Sequence, residues 1–165
     1  MNILMKTSMG DIELELFEKE APATVENFLS YVKDGFFKKT IFHRIIDNFM
    51  VQGGGFTEDF IQKPAKAPIK NEADNQISNK RGTIAMARTS DPHSATCQFF
   101  INSKDNDFLD FKAPTAMHYG YCVFGKVVNG IEVIDKMSKV KTGNRGFHQD
   151  VPVENIVIED IEILN

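Results

Sequence analysis

Short runs of β-type residues, separated by turns and broken by only two helical patterns, constrain the fold of this chain more than any other feature. Ile12, Leu14 and Leu16 alternate with Asp11, Glu13 and Glu15, a period of two that sets one face against a core and the other in water. Ile3 to Thr7 is the hairpin partner of this run, with Ser8-Met9-Gly10 as the turn. Further runs occupy Thr40–Ile46, Phe49–Gln52, Thr83–Ala87, Cys97–Ile101, Tyr121–Val128 and Ile156–Ile163. One helical stripe, Val25, Phe28, Leu29, Val32 and Phe36, follows Pro22, which suits a first helical position, and Gly35 ends it. Ile131, Ile134 and Met137 after Gly130 predict a second, shorter helix. Strands without strand-helix-strand alternation fit an antiparallel sheet or barrel better than a doubly wound fold.

With 165 residues and 42% hydrophobic content, the chain is expected to form one domain over 1–165 with a core that needs neither disulfides nor metals. Fourteen phenylalanines and no tryptophan make that core aromatic-rich. A net charge of −4 argues against general affinity for nucleic acid or anionic membranes, which require basic patches. Cys97 and Cys122 each sit among apolar neighbours and read as small buried hydrophobes in a reducing compartment. The start of the chain turns polar after Met5 without the apolar stretch of a signal peptide, and no run approaches a membrane span. A cytoplasmic monomer is the expectation.

Three stretches, Thr57–Gly82, Asn102–Gly120 and Lys141–Asn155, carry no regular pattern, and Pro64 and Pro68 exclude a helix through the first. Loops this long in a small domain serve to wall a binding surface or are disordered.

Most familiar chemistries find no support in the residues. His43, His93, His118 and His148 show no ligand spacing with one another or with the cysteines, so no metal or other cofactor is expected, and the histidines read as surface or hydrogen-bonding residues. His93-Ser94 adjacency does not give a nucleophile its base, and no Gly-x-Ser-x-Gly elbow exists. Gly53-Gly54-Gly55 lacks the spacing and lysine of a phosphate loop and predicts a bend or a close backbone approach instead. What remains is an apolar surface with isolated polar handles: Arg44, Gln52 and Gln98 among Phe49, Met50, Phe99 and Phe100. The residues alone leave two readings open. Arg44 pairs with Asp47 and Gln52 satisfies a strand end, or the group forms a peptide or ligand site; of Phe99 and Phe100, one must be core because strand neighbours face opposite ways.

From Gly10 almost to the C-terminus the sequence resembles the cyclophilins, most of all the bacterial cytoplasmic single-domain type. Thr40-Ile41-Phe42-His43-Arg44-Ile45-Ile46 with Phe49-Met50-Val51-Gln52-Gly53-Gly54, then Ser94 to Ile101, then Val123-Phe124-Gly125-Lys126-Val127, carry the resemblance in order. It implies a mainly β fold, an eight-stranded closed antiparallel barrel capped by two α-helices, and peptidyl-prolyl cis-trans isomerase activity in protein folding. It places the catalytic arginine on Arg44 and the proline-pocket side chains on Phe49, Met50, Phe100 and Leu109, with Gln52 and Gln98 as polar handles. Ala87, Arg88 and Thr89 fall on the segment that lies along the peptide backbone, where many relatives have Ala-Asn-Ala. Phe108 stands where many have tryptophan, and Tyr121 where many have histidine. The implied partners are proline-containing peptides and unfolded or folding proteins, and cyclosporin is expected to bind weakly because Phe108 lacks an indole N–H. A binding module with the same groove but little catalysis, or a small-ligand barrel, are the alternatives. The cation beside a proline pocket speaks against the first, and the filled interior of small barrels against the second.

Overall fold

The computed structural model describes residues 1–164. β1 (Asn2–Thr7) and β2 (Gly10–Leu16) form the expected hairpin, with Ile3 opposite Leu14 and Met5 opposite Ile12. All four of these side chains are fully buried, so the period of two in the sequence is the inside-outside alternation of the sheet.

The other strands are β3 (Thr40–Ile41), β4 (Arg44–Ile46), β5 (Met50–Gly53), β6 (Phe56–Thr57), β7 (Thr83–Met86), β8 (Phe99–Asn102), β9 (Val123–Asn129), β10 (Thr142–Arg145), β11 (His148–Pro152) and β12 (Val157–Leu164). A ten-stranded antiparallel sheet runs β4-β5-β8-β7-β9-β2-β1-β12-β3-β6. The count of ten and the expected eight describe the same barrel. β3 and β4 are one chain run interrupted at Phe42-His43, and β5 and β6 one run interrupted at Gly54-Gly55. Merged, they leave eight runs, and the opposite ends of the order become the same two runs, so the sheet closes on itself and keeps no long open edge. Phe42 N donates to Ile156 O at 2.9 Å across the interruption.

Phenylalanine fills the interior. The Phe28 ring of α1 (Pro22–Lys33) lies 5.1, 5.8 and 5.2 Å from those of Phe37, Phe99 and Phe124. α2 (Ile131–Ser138) adds Ile134 and Met137, both fully buried. This packed interior leaves no room for the small-ligand barrel. α1 has no side-chain cap from its own N-terminal residues. Instead Glu72, from the long loop after β6, accepts from Thr24 N and Thr24 Oγ1, both at 2.7 Å. Gly35, at φ +68°, terminates the helix as expected.

The Lys141–Asn155 stretch is a correction: it contains the β10–β11 hairpin, turning at Gly146 with φ +60°. Its strands are mostly polar and exposed apart from buried Val151 and Pro152, so no alternation announced them, and beside Val151 the hairpin is held by His148, whose ring packs on Phe56 at 5.2 Å and Phe60 at 5.0 Å. Cys97 and Cys122 are buried and unpaired, and burial pushes the Cys122 thiol up to about 12. Among the described residues no helix is long and apolar enough to cross a membrane.

Candidate active site

Sheet register assembles the site. Arg44 on β4 lies opposite Gln52 on β5, Gln52 opposite Phe100 on β8, Phe100 opposite Ala85 on β7, and Ala85 opposite Val123 on β9. Residues directly opposed across a sheet share a face, so one row carries a cation, an amide and an apolar floor in that order. Met50, two residues from Gln52, joins the same face. Phe99 points the other way, fully buried in the barrel, which settles which phenylalanine is core. Met50, Ala85, Phe100 and Val123 form a second apolar cluster separate from the barrel interior, with Phe49, Ala87, Leu109 and Tyr121 packed half-buried around it.

A cavity of about 150 Å³ opens on this cluster. Arg44 and Gln52 line one side; Phe49, Met50, Phe100 and Leu109 form the apolar part; Ala87, Arg88 and Tyr121 complete the wall. Pockets for drug-sized ligands run roughly 300–1,000 Å³, so this one admits a single small ring.

Arg44 is exposed, and among the described residues no carboxylate lies within ion-pair distance of it. Asp47, its alternative partner, is held by Lys139 at 2.9 Å. Among the described residues the guanidinium makes one hydrogen bond, to Gln52, Nη1 donating to Oε1 at 3.4 Å, while Gln52 Nε2 donates to Gln98 Oε1 at 3.0 Å. The neighbouring His43 points inward and is 5% exposed, with Nδ1 lacking a hydrogen-bond partner, which corrects the expectation of a surface or hydrogen-bonding histidine. Burial first, then His148 and Arg44, lower its pKa to about 4, so it is neutral at pH 7.

Three expected site residues stand back from the cavity. Gln98 reaches it only through Gln52. Thr89 turns its hydroxyl to Ser94 Oγ, 2.7 Å, and closes the 89–94 turn. Phe108 is 60% exposed and stacks on Phe49, centroids 5.8 Å apart, on the rim of an adjoining groove. Of the long loops, Asn102–Gly120 does wall the cavity, through Leu109, whereas Thr57–Gly82 supplies none of its lining.

The glycine run is a set of close approaches. Gly54 has φ +91°, and a Cβ there would meet the Phe99 ring at 2.7 Å; one on Gly55 would meet Gln98 Cγ at 2.6 Å. A polar hub that pattern reading missed lies behind the cavity. Asn79, Asn102 and Asn106 are fully buried. Asn106 Nδ2 donates to Asn102 Oδ1 at 2.8 Å and to Phe49 O at 2.9 Å, and Asn79 Nδ2 donates to Leu109 O and Tyr121 O, both at 3.3 Å. The hub thus holds main-chain groups of three cavity residues from three separate segments. The only sequence signal is the density of asparagine in 102–106, which alone points to no function. Among the described residues no cluster of three His, Cys, Asp or Glu side chains offers a metal site.

The family described as cyclophilin type peptidyl-prolyl cis-trans isomerase/CLD matches residues 2–163. The chain belongs to this family. Peptidyl-prolyl cis-trans isomerase B of Escherichia coli (strain K12) is 53% identical to this cyclophilin over 161 residues, covering 98% of each chain. Peptidyl-prolyl cis-trans isomerase cyp18 of Streptomyces antibioticus is 58% identical, covering 97% of this chain and 96% of its own. Among solved structures, a cyclophilin-type isomerase of Cryptosporidium parvum superposes with a TM-score of 0.83 at 26% identity, covering 99% of this chain and 97% of its own. A second structure of that protein, determined in the presence of the dipeptide Ala-Pro, gives a TM-score of 0.80 at 26% identity, covering 100% and 99%. This cyclophilin is therefore a mainly β peptidyl-prolyl cis-trans isomerase.

Proposed function

We propose that Arg44 is the catalytic residue and that Phe49, Met50, Phe100 and Leu109 grip the proline ring of an X-Pro peptide while the carbonyl side of the bond rotates. The observation that carries this reading is the unpaired Arg44 guanidinium at the edge of a small apolar cavity, in register with Gln52 and Phe100. Rotation breaks amide resonance against a barrier of roughly 18–20 kcal/mol. As resonance is lost, the prolyl nitrogen becomes pyramidal and regains a lone pair. A donor aimed at that nitrogen binds the twisted state better than the planar one, and only such differential binding raises the rate. An acceleration of ~10⁵-fold corresponds to about 7 kcal/mol. Gln52, backed by Gln98, holds the peptide chain beside the bond, and Ala87, Arg88, Tyr121 and Phe108 border its path; Thr89 acts by shaping that border. No proton is transferred, so the neutral, inward-facing His43 has no part in the chemistry.

A relative studied with Ala-Pro supports that dipeptide as the minimal substrate unit. The physiological substrates on this reading are proline-containing segments of folding proteins, met in the cytoplasm by one domain acting as a monomer. Exchange NMR on an Ala-Pro peptide tests the assignment. Arg44→Ala lowers the isomerisation rate about 10²–10³-fold while the peptide still binds; an unchanged rate in folded protein removes Arg44 from the mechanism.

A further inference from the structure

Arg44 is not the only guanidinium on the cavity. The chain has four arginines. Arg81 is paired with Asp135, and Arg145 lies over the Phe60 ring, but Arg44 and Arg88 both line the proline cavity, which has no carboxylate in its wall.

Arg88 is fixed rather than free. Its Nε and Nη2 donate to Gly120 O at 3.2 and 3.0 Å, its Nη1 donates to Thr89 O at 2.8 Å, and its guanidinium lies 4.4 Å over the Tyr121 ring. Tyr121 in turn stands edge-on to Phe100 on the cavity floor, centroids 5.6 Å apart. A guanidinium carries five N–H bonds, so these contacts leave two uncommitted on a head that is already oriented.

The wall that Arg88 makes is shared. A groove of about 510 Å³ adjoins the cavity through Arg88, Leu109 and Tyr121, and continues past Phe108, Lys112 and Met117. Phe108 and Met117 are 60% and 90% exposed. The one acid in the groove, Asp110, is already engaged, accepting from Ser78 Oγ at 2.5 Å and Asn79 N at 2.6 Å. His118 there shares a hydrogen bond with Thr115 Oγ1 at 2.9 Å. Among the described residues neither Arg88 nor Lys112 has a carboxylate partner, so the groove presents two cations whose charge is not neutralised, on a chain whose net charge is −4. A locally positive wall on an acidic protein selects the orientation and sequence of what lies against it.

We propose that Arg88, assisted by Lys112, makes this isomerase prefer proline peptides with an acidic residue on the flank that leaves the cavity over Tyr121. The carboxylate takes the spare N–H bonds of the oriented guanidinium, and apolar residues beyond it cover Phe108 and Met117. This rests on the cavity being the proline site.

The test is kcat/KM on an Ala-Pro peptide series in which glutamate and its neutral isostere glutamine are exchanged at the first and second positions on either side of the proline. Wild type turns over the glutamate peptide about two- to five-fold faster on one flank only, as expected for a partly exposed ion pair, and the ratio falls as salt is raised. Arg88→Gln brings the ratio to about one, and Lys112→Gln reduces it while leaving the all-neutral peptide unaffected. A ratio of one on both flanks in wild type, or a ratio that neither substitution changes, overturns the proposal. Arg44→Ala is measured alongside on the all-neutral peptide, so failure of the proline-site reading is seen separately, as an Ala-Pro rate that does not depend on Arg44.

Discussion

Lys139 Nζ stands 2.9 Å from Asp47 Oδ2, and this ion pair takes the acid nearest in sequence to Arg44 out of its reach. The side chains are 73% and 52% exposed, so the pair contributes no more than about 1 kcal/mol. Asp47→Asn is expected to lower stability by less than that in urea denaturation and to keep kcat/KM on a proline peptide within about two-fold of wild type. A ten-fold loss of turnover would place Asp47 on Arg44 in solution and make the cation part of a structural pair.

Glu72 closes the N-terminus of α1 from 48 residues away, so it joins the long loop after β6 to the helix that carries Phe28 into the core. Glu72→Ala leaves Thr24 N without its acceptor and is expected to cost about 1 kcal/mol, the usual value of a cap. The urea midpoint falls at unchanged slope, and isomerase activity of the folded protein stays the same because Glu72 does not touch the cavity.

His43 gives the fold a pH dependence of predictable sign. Its folded pKa of about 4 lies below the ordinary 6.5, so between those values the unfolded chain binds the proton and the folded one does not. Its contribution to stability is complete above about pH 6.5, declines as pH falls and is lost by about pH 4, amounting to up to about 3 kcal/mol. The loss of stability between pH 7 and pH 4.5, measured by urea denaturation, is expected to be smaller in His43→Phe than in wild type. Equal losses would show that the imidazole is protonated as readily inside the fold as outside it.

Why the barrel was legible in the sequence and the back of the site was not follows from where the partners sit. Ile12, Leu14 and Leu16 announce a strand because alternation is a local property, and Pro22 and Gly35 mark their helix for the same reason. Register is not local: that Arg44, Gln52 and Phe100 share one row, and that Phe99 rather than Phe100 enters the core, depends on how β4, β5 and β8 align. The family resemblance supplied this row where periodicity left it open. Asn79 and Asn106 were beyond both, since their partners are main-chain atoms brought in from distant segments. The β10–β11 hairpin was missed because its sequence is mostly polar and its apolar anchors are few and scattered: buried Val151 at one end, and His148 and Arg145 against Phe56 and Phe60 at the other.

Phe108 keeps its ring on Phe49 but has no N–H to offer a ligand crossing the rim. Cyclosporin is therefore expected to bind weakly, and Phe108→Trp to bind it roughly two- to ten-fold more tightly, the value of one net hydrogen bond. Calorimetric titration of both proteins makes the comparison, and equal affinities would remove the indole donor as the cause.

Gly54 and Gly55 separate the stability of this region from its activity. A methyl group on Gly54 meets Phe99 and Phe37 inside the core, on a backbone at φ +91° that disfavours any side chain, so Gly54→Ala is expected to destabilise by roughly 1–3 kcal/mol. The nearest atoms to a methyl group on Gly55 are Gln98 Nε2, Cγ and Cδ at 2.5–2.7 Å, so the half-buried Gln98 side chain has to swing as a whole from Cγ outward, which costs the fold little because no backbone is among them. That swing breaks the 3.0 Å bond to Gln52 and releases the amide that touches Arg44. Gly55→Ala is thus expected to leave the urea midpoint nearly unchanged and to lower kcat/KM by about ten-fold, as the loss of one well-placed hydrogen bond does. If turnover instead stays constant while the midpoint drops, Gln98 supports the barrel rather than the bond that is turned.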